Sequence, residues 1–484
     1  MNRKQIAAPF VTALEEYCNE RFFAYHTPGH KLGKGGSAYL RKLFGDALRR
    51  DLGLMYALDD LFDPGGPLGE AMELAADLYG AGRTFFSVNG TTACVEAMIL
   101  AVCKEGDEII ISREAHKSVM NGLILSGAVP VYMKSRFAVP EQVSLGPDPA
   151  ELERVAAAHP QAKAVLFTYP TYDGVCVDLK RMVSFAHEAG MYVLVDEAHG
   201  AHFGMHPELP LSALAYGADC VAQSTHKSTG SLTQTSMLHC RRNLPFIDKV
   251  AAAMQLVQST SPHYWFLASL DSARQQLALE GETLLCRTLE LARQTRIDLN
   301  KIPGIYSFGA EITAYEGVSA FDETKITIDF SGLGLTGAEA EKFLRHEGVE
   351  AELTAGGHVL CLITIGDDEE SVQALVAACR AISAKHDVTV DAGTYEEIPL
   401  PEPTVFLSPR QAWQRSAKPC ALTHAVGCVA AEPVIFYPPG IPVLAPGEKV
   451  TAQCVTYIKK KRSEGYDAHG CMDKTVRTLQ IIPT

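Results

Sequence analysis

The stretch Met191-Tyr192-Val193-Leu194-Val195-Asp196-Glu197-Ala198-His199-Gly200 is followed by Cys220-Val221-Ala222-Gln223-Ser224-Thr225-His226-Lys227-Ser228-Thr229-Gly230. Each opens on a short apolar run, which reads as a buried strand. The first run ends on an acid. The second ends among small hydroxyl residues, a histidine and a lysine. A lone lysine is ordinarily a solvated surface charge, and an aspartate after a strand is ordinarily a helix N-cap. Strand, acid, helix, strand, lysine is a different matter. The carboxyl ends of parallel strands are where open α/β sheets hold ligands, and here two such ends carry opposite charges.

Working outward, the same alternation continues on both sides. Upstream, the pattern predicts helix Gly69–Leu78, strand Thr84–Val88, helix Ala93–Cys103, strand Glu108–Ser112, helix Lys117–Ser126 and strand Val129–Met133. Helix Pro149–Ala158, strand Ala164–Thr168, helix Leu179–Ala189, strand Met191–Asp196, helix Leu211–Tyr216 and strand Asp219–Ser224 follow, then a long helix over 263–300. Short β-rich runs separated by helices of about ten residues imply βαβ units and a mostly parallel sheet. Several runs are apolar throughout, as strands buried on both faces require. A second α/β layer is expected from about 305, with strand Lys325–Phe330, a capping box Thr336-Gly337-Ala338-Glu339, strand Val359–Ile365 and helix Glu369–Lys385. A proline-rich linker at 399–407 leads to the last segment. The expected organisation is an N-terminal arm (1–75), a large domain (76–304), a small α/β domain (305–398) and a C-terminal domain (399–484).

Composition narrows the function. The net charge is −14, which argues against non-specific nucleic-acid binding and suits cationic substrates. The 13 cysteines include no CxxC pair, as expected of a reduced cytoplasmic protein. No run of 18 apolar residues predicts a membrane span, and no signal peptide is visible. Asp196-Glu197-Ala198-His199 spells a helicase box, but no GxxxxGK[ST] phosphate loop accompanies it. Asp196, His199 and His202 are spaced poorly for a metal site, and no metal is expected.

The chemistry that needs a lysine and an acid at neighbouring strand ends is that of pyridoxal 5'-phosphate (PLP). The amine of Lys227 forms a Schiff base with the cofactor aldehyde, and the Asp196 carboxylate keeps the pyridine nitrogen protonated, so the ring becomes an electron sink. Asn89-Gly90-Thr91-Thr92 lies between a strand and a helix, where free N–H groups and hydroxyls favour a phosphate; an ordinary N-cap reads the same way. Ser224 and His226 would complete the phosphate cup. His116, in Ala115-His116-Lys117-Ser118, also follows a strand and is placed to stack on the cofactor ring. Lys117 is a rival for the Schiff base, but Lys227 lies one helix and one strand beyond the acid. The loops His26-Thr27-Pro28-Gly29-His30-Lys31 and Asp59-Asp60-Leu61 read equally as surface turns or as active-site cover.

Taken in order, these motifs, with Thr171-Tyr172-Asp173-Gly174, Ser259-Thr260-Ser261-Pro262-His263-Tyr264, Tyr437-Pro438-Pro439-Gly440-Ile441-Pro442 and Pro446-Gly447-Glu448, resemble the ornithine/lysine/arginine decarboxylase family of PLP enzymes. The resemblance spans nearly the whole chain. It implies the aspartate-aminotransferase fold (fold type I), an α/β large domain with a mostly parallel seven-stranded sheet plus smaller C-terminal α/β domains. It implies a short form that starts without the N-terminal wing domain of the large inducible members, and a homodimer or higher homo-oligomer. In that setting Lys227, Asp196 and His116 would be the catalytic residues. Asn89, Gly90, Thr91, Thr92, Ala198, His199, Ser224, His226, Thr260 and Ser261 would touch the cofactor, with Thr260 and Ser261 reaching the neighbouring subunit's site. Glu448, and less directly Asp467 and Cys471, would meet the substrate. The expected reaction is α-decarboxylation of lysine, arginine or ornithine to the amine used in polyamine biosynthesis. An aminotransferase, a CoA-linked condensing enzyme or a catalytically silent PLP-binding homologue are the alternatives on the same fold.

Overall fold

In the computed structural model, residues 3–388, 400–436 and 441–483 are described. The motif residues Tyr437-Pro438-Pro439-Gly440 lie outside the described residues. The chain divides into two compact units, Met1–Ala101 with Leu194–Leu285 and Val102–Val193 with Cys286–Thr484. Among the described residues, no helix is long and apolar enough to cross a membrane.

The strands of a seven-stranded, mostly parallel sheet run through the chain. Its order begins with Arg83–Ser87, Ser236–Cys240, Cys220–Gln223 and Tyr192–Asp196. The last two are parallel, with Asp196 beside Ala222. In the second unit Glu108–Ser112 pairs in parallel with both Ala164–Thr168 and Val129–Met133. Every residue of Cys220–Gln223 is buried, as is every residue of Glu108–Ser112 after the first, which is why these runs are apolar on both faces. The expected helix Leu211–Tyr216 is a short 3₁₀ turn, Ala213–Tyr216, started by the Ser212 hydroxyl.

One strand escaped the sequence pattern. Ser236–Cys240 is fully buried and antiparallel to both neighbours. It is short, carries a serine and a histidine, and follows a polar loop, so nothing in its periodicity marks it. Its histidine is satisfied internally: His239 Nδ1 lies 2.8 Å from Thr84 Oγ1 and Nε2 lies 3.1 Å from Gln223 Oε1.

The N-terminal helix Pro9–Asn19 has no side-chain cap of its own. The carboxylate of Asp271, on the long helix Tyr264–Leu299, accepts the N–H groups of Phe10 (3.0 Å) and Val11 (3.3 Å) instead. Arg274 neutralises it at 2.6 Å and also donates to Gln5 O at 2.9 Å. Both charges are fully buried. Phe10 meets Tyr264 edge-on at 5.5 Å, within a core that includes Leu14, Leu68, Phe86 and Leu270. Asp59, at φ 66°, turns its carboxylate onto the N–H groups of Gly66 (2.8 Å) and Leu68 (2.9 Å) and so starts the helix Pro67–Tyr79. His30 pairs with Asp51 at 3.0 Å, and Lys31 Nζ donates to the His26 carbonyl at 2.5 Å. In this unit these loop residues bind one another.

In the second unit, Lys325–Asp329, His358–Leu362 and Leu353–Ala355 form an antiparallel three-stranded sheet. Helices Gly337–His346 and Glu369–Ser383 belong to the same core. Thr336 and Glu339 form the expected capping box. A separate core, with Leu422, Phe436, Leu444, Ile458 and Leu479, belongs to the C-terminal segment.

Candidate active site

In the first unit Lys227 stands on the short helix Thr225–Ser228, directly after strand Cys220–Gln223. Its Nζ lies 2.7 Å from His199 Nε2. Asp196 ends the neighbouring strand and is 5% exposed. Its Oδ1 accepts the Ala198 N–H at 3.2 Å. Burial pushes the Asp196 carboxyl above its ordinary value, while the charge of Lys227 and the Ala198 N–H pull it back. The lysine therefore has the His199 ring on one side and a buried acid in electrostatic contact. Lys117, the rival lysine, is exposed at the first position of its helix.

Behind Asp196 sits Glu197, fully buried. It accepts from Ser212 Oγ (2.7 Å), Ala213 N (2.7 Å) and Gln223 Nε2 (2.5 Å). Burial pushes its carboxyl up to about 7 despite these three donors. Glu197 was absent from the sequence expectations. Its signal was there: a charged residue inside an apolar run that must be buried.

The glycine loop opens helix Gly90–Val102, and Gly90 adopts φ +71° with its N–H on the Gln234 carbonyl at 2.8 Å. Thr91 Oγ1 lies 2.5 Å from Ser224 Oγ and 2.7 Å from Ser236 Oγ. Thr91, Ser224 and Ser236 are all buried. Three hydroxyls thus converge at a helix N-terminus, the third of them from the strand that sequence reading missed. Asn89 is exposed and Thr92 half-buried. His226 Nδ1 is 2.7 Å from the Thr235 carbonyl, so that nitrogen serves the loop. Thr260 and Ser261 are exposed.

In the second unit His116 caps helix Lys117–Ser126, its Nδ1 taking the Ser118 N–H at 3.3 Å. Glu448 has a partner that the sequence did not announce. It is 1% exposed and receives Arg113 Nη1 at 2.6 Å and Nη2 at 2.9 Å. Its Oε2 also accepts the Ala445 N–H at 2.7 Å. Arg113 is itself buried, donates to the Val443 carbonyl at 2.9 Å and lies 4.8 Å over the Tyr132 ring. Burial alone would lower the Arg113 pKa, and the facing Glu448 carboxylate reverses that, so the net shift is upward. Asp467 is exposed and pairs with Arg462 at 2.9 Å. Cys471 is half-buried, which raises its thiol pKa, and lies 3.4 Å from the Asp473 carbonyl.

Comparison with known proteins identifies the family. Residues 8–371 match the family described as Orn/Lys/Arg decarboxylase, major domain, and residues 392–468 match its C-terminal domain. An arginine decarboxylase of Bacillus subtilis is 41% identical over 99% of this chain and 98% of its own. An arginine decarboxylase of Bacillus anthracis is 39% identical at the same coverage. Among solved structures, a lysine decarboxylase of Francisella novicida superposes with TM-score 0.87 at 21% identity, over 99% of this chain and 82% of its own. Its fold, and that of this chain, is PLP fold type I. The chain belongs to the Orn/Lys/Arg decarboxylase family.

Proposed function

We propose that this chain catalyses the PLP-dependent α-decarboxylation of a basic amino acid, with arginine as the first substrate to test. The observation that carries the reading is the Lys227 site: Nζ 2.7 Å from His199 Nε2, with the buried Asp196 in electrostatic contact with the lysine. The choice of arginine rests on the relatives of about 40% identity named arginine decarboxylase.

The residues present fit the cofactor. Asp196 is a buried carboxylate whose electrostatic partner is Lys227, the charge arrangement a pyridinium nitrogen requires. The N-terminus of helix Gly90–Val102, with the Thr91, Ser224 and Ser236 hydroxyls, supplies the donor set for a phosphate. When bound, PLP supplies an aldehyde carbon for amines and a ring that accepts the electron pair released as CO2 leaves. Asp196 keeps negative charge at the ring nitrogen. His199 Nε2 accepts a hydrogen bond from the Lys227 ammonium, so the lysine can pass its proton locally and present a neutral amine. After CO2 departs, a proton takes its place at Cα, and Lys227 with His199 is the nearby store of one.

The exposed Thr260 and Ser261 support a homodimer in which that loop serves the neighbouring site. The 13 free thiols and the acidic balance support a cytoplasmic protein. The core that Leu400 packs against, with Leu422 and Ile458, supports a domain boundary near 399. The test is CO2 release by purified protein with PLP, offered arginine, lysine and ornithine separately. Release from one of them, lost in Lys227→Ala, is expected. Keto acid without CO2 would instead indicate transamination.

A further inference from the structure

The second unit contains a cavity of about 1360 Å³. Five basic side chains line it, and each already faces a carboxylate. Arg113 meets Glu448 (2.6 Å), Lys134 meets Glu402 (3.0 Å), Arg136 meets Asp148 (3.3 Å), Arg154 meets Glu151 (2.7 Å) and Lys461 meets Glu464 (3.3 Å). Two acids on the same lining are not so matched. Glu114 accepts from the Ser144 hydroxyl at 2.5 Å, and Asp173 accepts from the Thr327 hydroxyl at 2.9 Å. Among the described residues, no lysine or arginine is ion-paired with either carboxylate. The Glu114 carboxyl is pushed up first by burial and further by the charge of Asp173.

Two more groups point into this space. His358 lines it, is 2% exposed, and lies 3.6 Å from Asp173 Oδ1 with neither ring nitrogen hydrogen-bonded. The Thr168 hydroxyl, at the carboxyl end of its strand, is likewise buried without a partner. Buried polar groups are normally satisfied, and unsatisfied ones call for an explanation. A metal ion does not provide it, since no cluster of three ligating side chains is found among the described residues. A cation with several donors does. A guanidinium group presents five N–H donors in a plane and suits two carboxylates at once, and an alkylammonium presents three.

We propose that this cavity is a binding site for an organic cation, a guanidinium or alkylammonium group held between Glu114 and Asp173 with the Thr168 hydroxyl. The volume leaves room for the rest of such a molecule. The assignment stands on the second unit alone, while the decarboxylase reading supplies two sources for the cation: the side chain of the basic amino acid, or a separate free amine.

The experiment uses the full chain with PLP supplied and Lys227→Ala to prevent turnover. Calorimetry measures the affinity for 4-aminobutylguanidine, the amine that arginine leaves on losing CO2, in this background and with Glu114→Gln or Asp173→Asn added. Glutamine retains an acceptor for Ser144 and removes only the charge. Each added substitution is expected to weaken binding at least about tenfold, while Glu350→Gln, an exposed acid off the cavity lining, leaves it unchanged. Equal affinity in Glu114→Gln and its parent overturns the proposal, and that variant decides alone if Asp173→Asn fails to fold. With Lys227 intact, a KM for arginine that rises in step with the lost affinity identifies the substrate side chain as the bound cation. An unchanged KM beside lost affinity identifies a separate amine. If the wild-type chain releases no CO2 from any basic amino acid, yet cation binding still depends on Glu114, the decarboxylase reading fails and the cation site stands.

Discussion

Replacing Glu448 by glutamine should damage the second unit rather than simply weaken a ligand. Glu448 and Arg113 are 1% and 7% exposed, joined by two charge-assisted hydrogen bonds of 2.6 and 2.9 Å. Removing one charge leaves the other buried and unpaired, which costs about 3–5 kcal/mol. The variant's opening should be read locally, because a chain of two units need not unfold in one step. The amides of Ala430 and Val450 report on this segment, bonded to the carbonyls of Glu448 (2.8 Å) and Cys428 (2.9 Å). In Glu448→Gln they should exchange with deuterium about 10² to 10³ times faster. The double variant Arg113→Met with Glu448→Leu removes both charges and keeps most of the volume. It should recover most of the protection, giving a coupling of about 2–4 kcal/mol. Unchanged exchange in Glu448→Gln, or a double variant as loose as the sum of the singles, would refute the reasoning. A stable Glu448→Gln with a raised KM for basic amino acids would return Glu448 to a role at the substrate.

Three further outcomes follow from the first unit. His199→Phe removes the acceptor of the Lys227 proton, and kcat for CO2 release should fall about 10²-fold with KM for the amino acid little changed; an unchanged kcat would remove His199 from proton handling. Glu197, raised from 4.5 to about 7, holds a proton in the folded state that the unfolded chain releases. Stability from this group is therefore lost as pH rises from about 4.5 to 7 and stays low above it, a swing of about 3 kcal/mol. Relative to Glu197→Gln, the wild type should lose that amount between pH 5 and pH 8 in urea midpoints, and a loss on acidification instead would contradict the assigned cause. Thr91→Val takes one hydroxyl from the Thr91, Ser224 and Ser236 cluster, and PLP should dissociate about tenfold more readily; equal retention would place the phosphate elsewhere.

Much of the fold was legible because a buried parallel sheet writes itself as apolar runs. Val129–Met133 and Ala164–Thr168 have the residue limits that the pattern predicts. Asp196 and Lys227 were legible for the complementary reason, as charges set where such runs end. What was illegible depends on contacts far apart in sequence. Arg113 and Glu448 are 335 residues apart, and neither looks unusual in its own segment. Asp271 caps a helix 261 residues away, where the local sequence shows only Ala8 at the cap position. Ser236–Cys240 is held by two antiparallel neighbours rather than by its own propensity, so Ser236 could not be joined to Thr91 and Ser224 in advance.

The most direct test of the account is where PLP attaches. The wild-type chain is incubated with PLP, reduced with borohydride, digested, and the modified peptide sequenced by mass spectrometry. The account predicts a single pyridoxyl group on Lys227, absent from Lys227→Ala. Modification of Lys117 or another lysine, with Lys227 unlabelled, would contradict it.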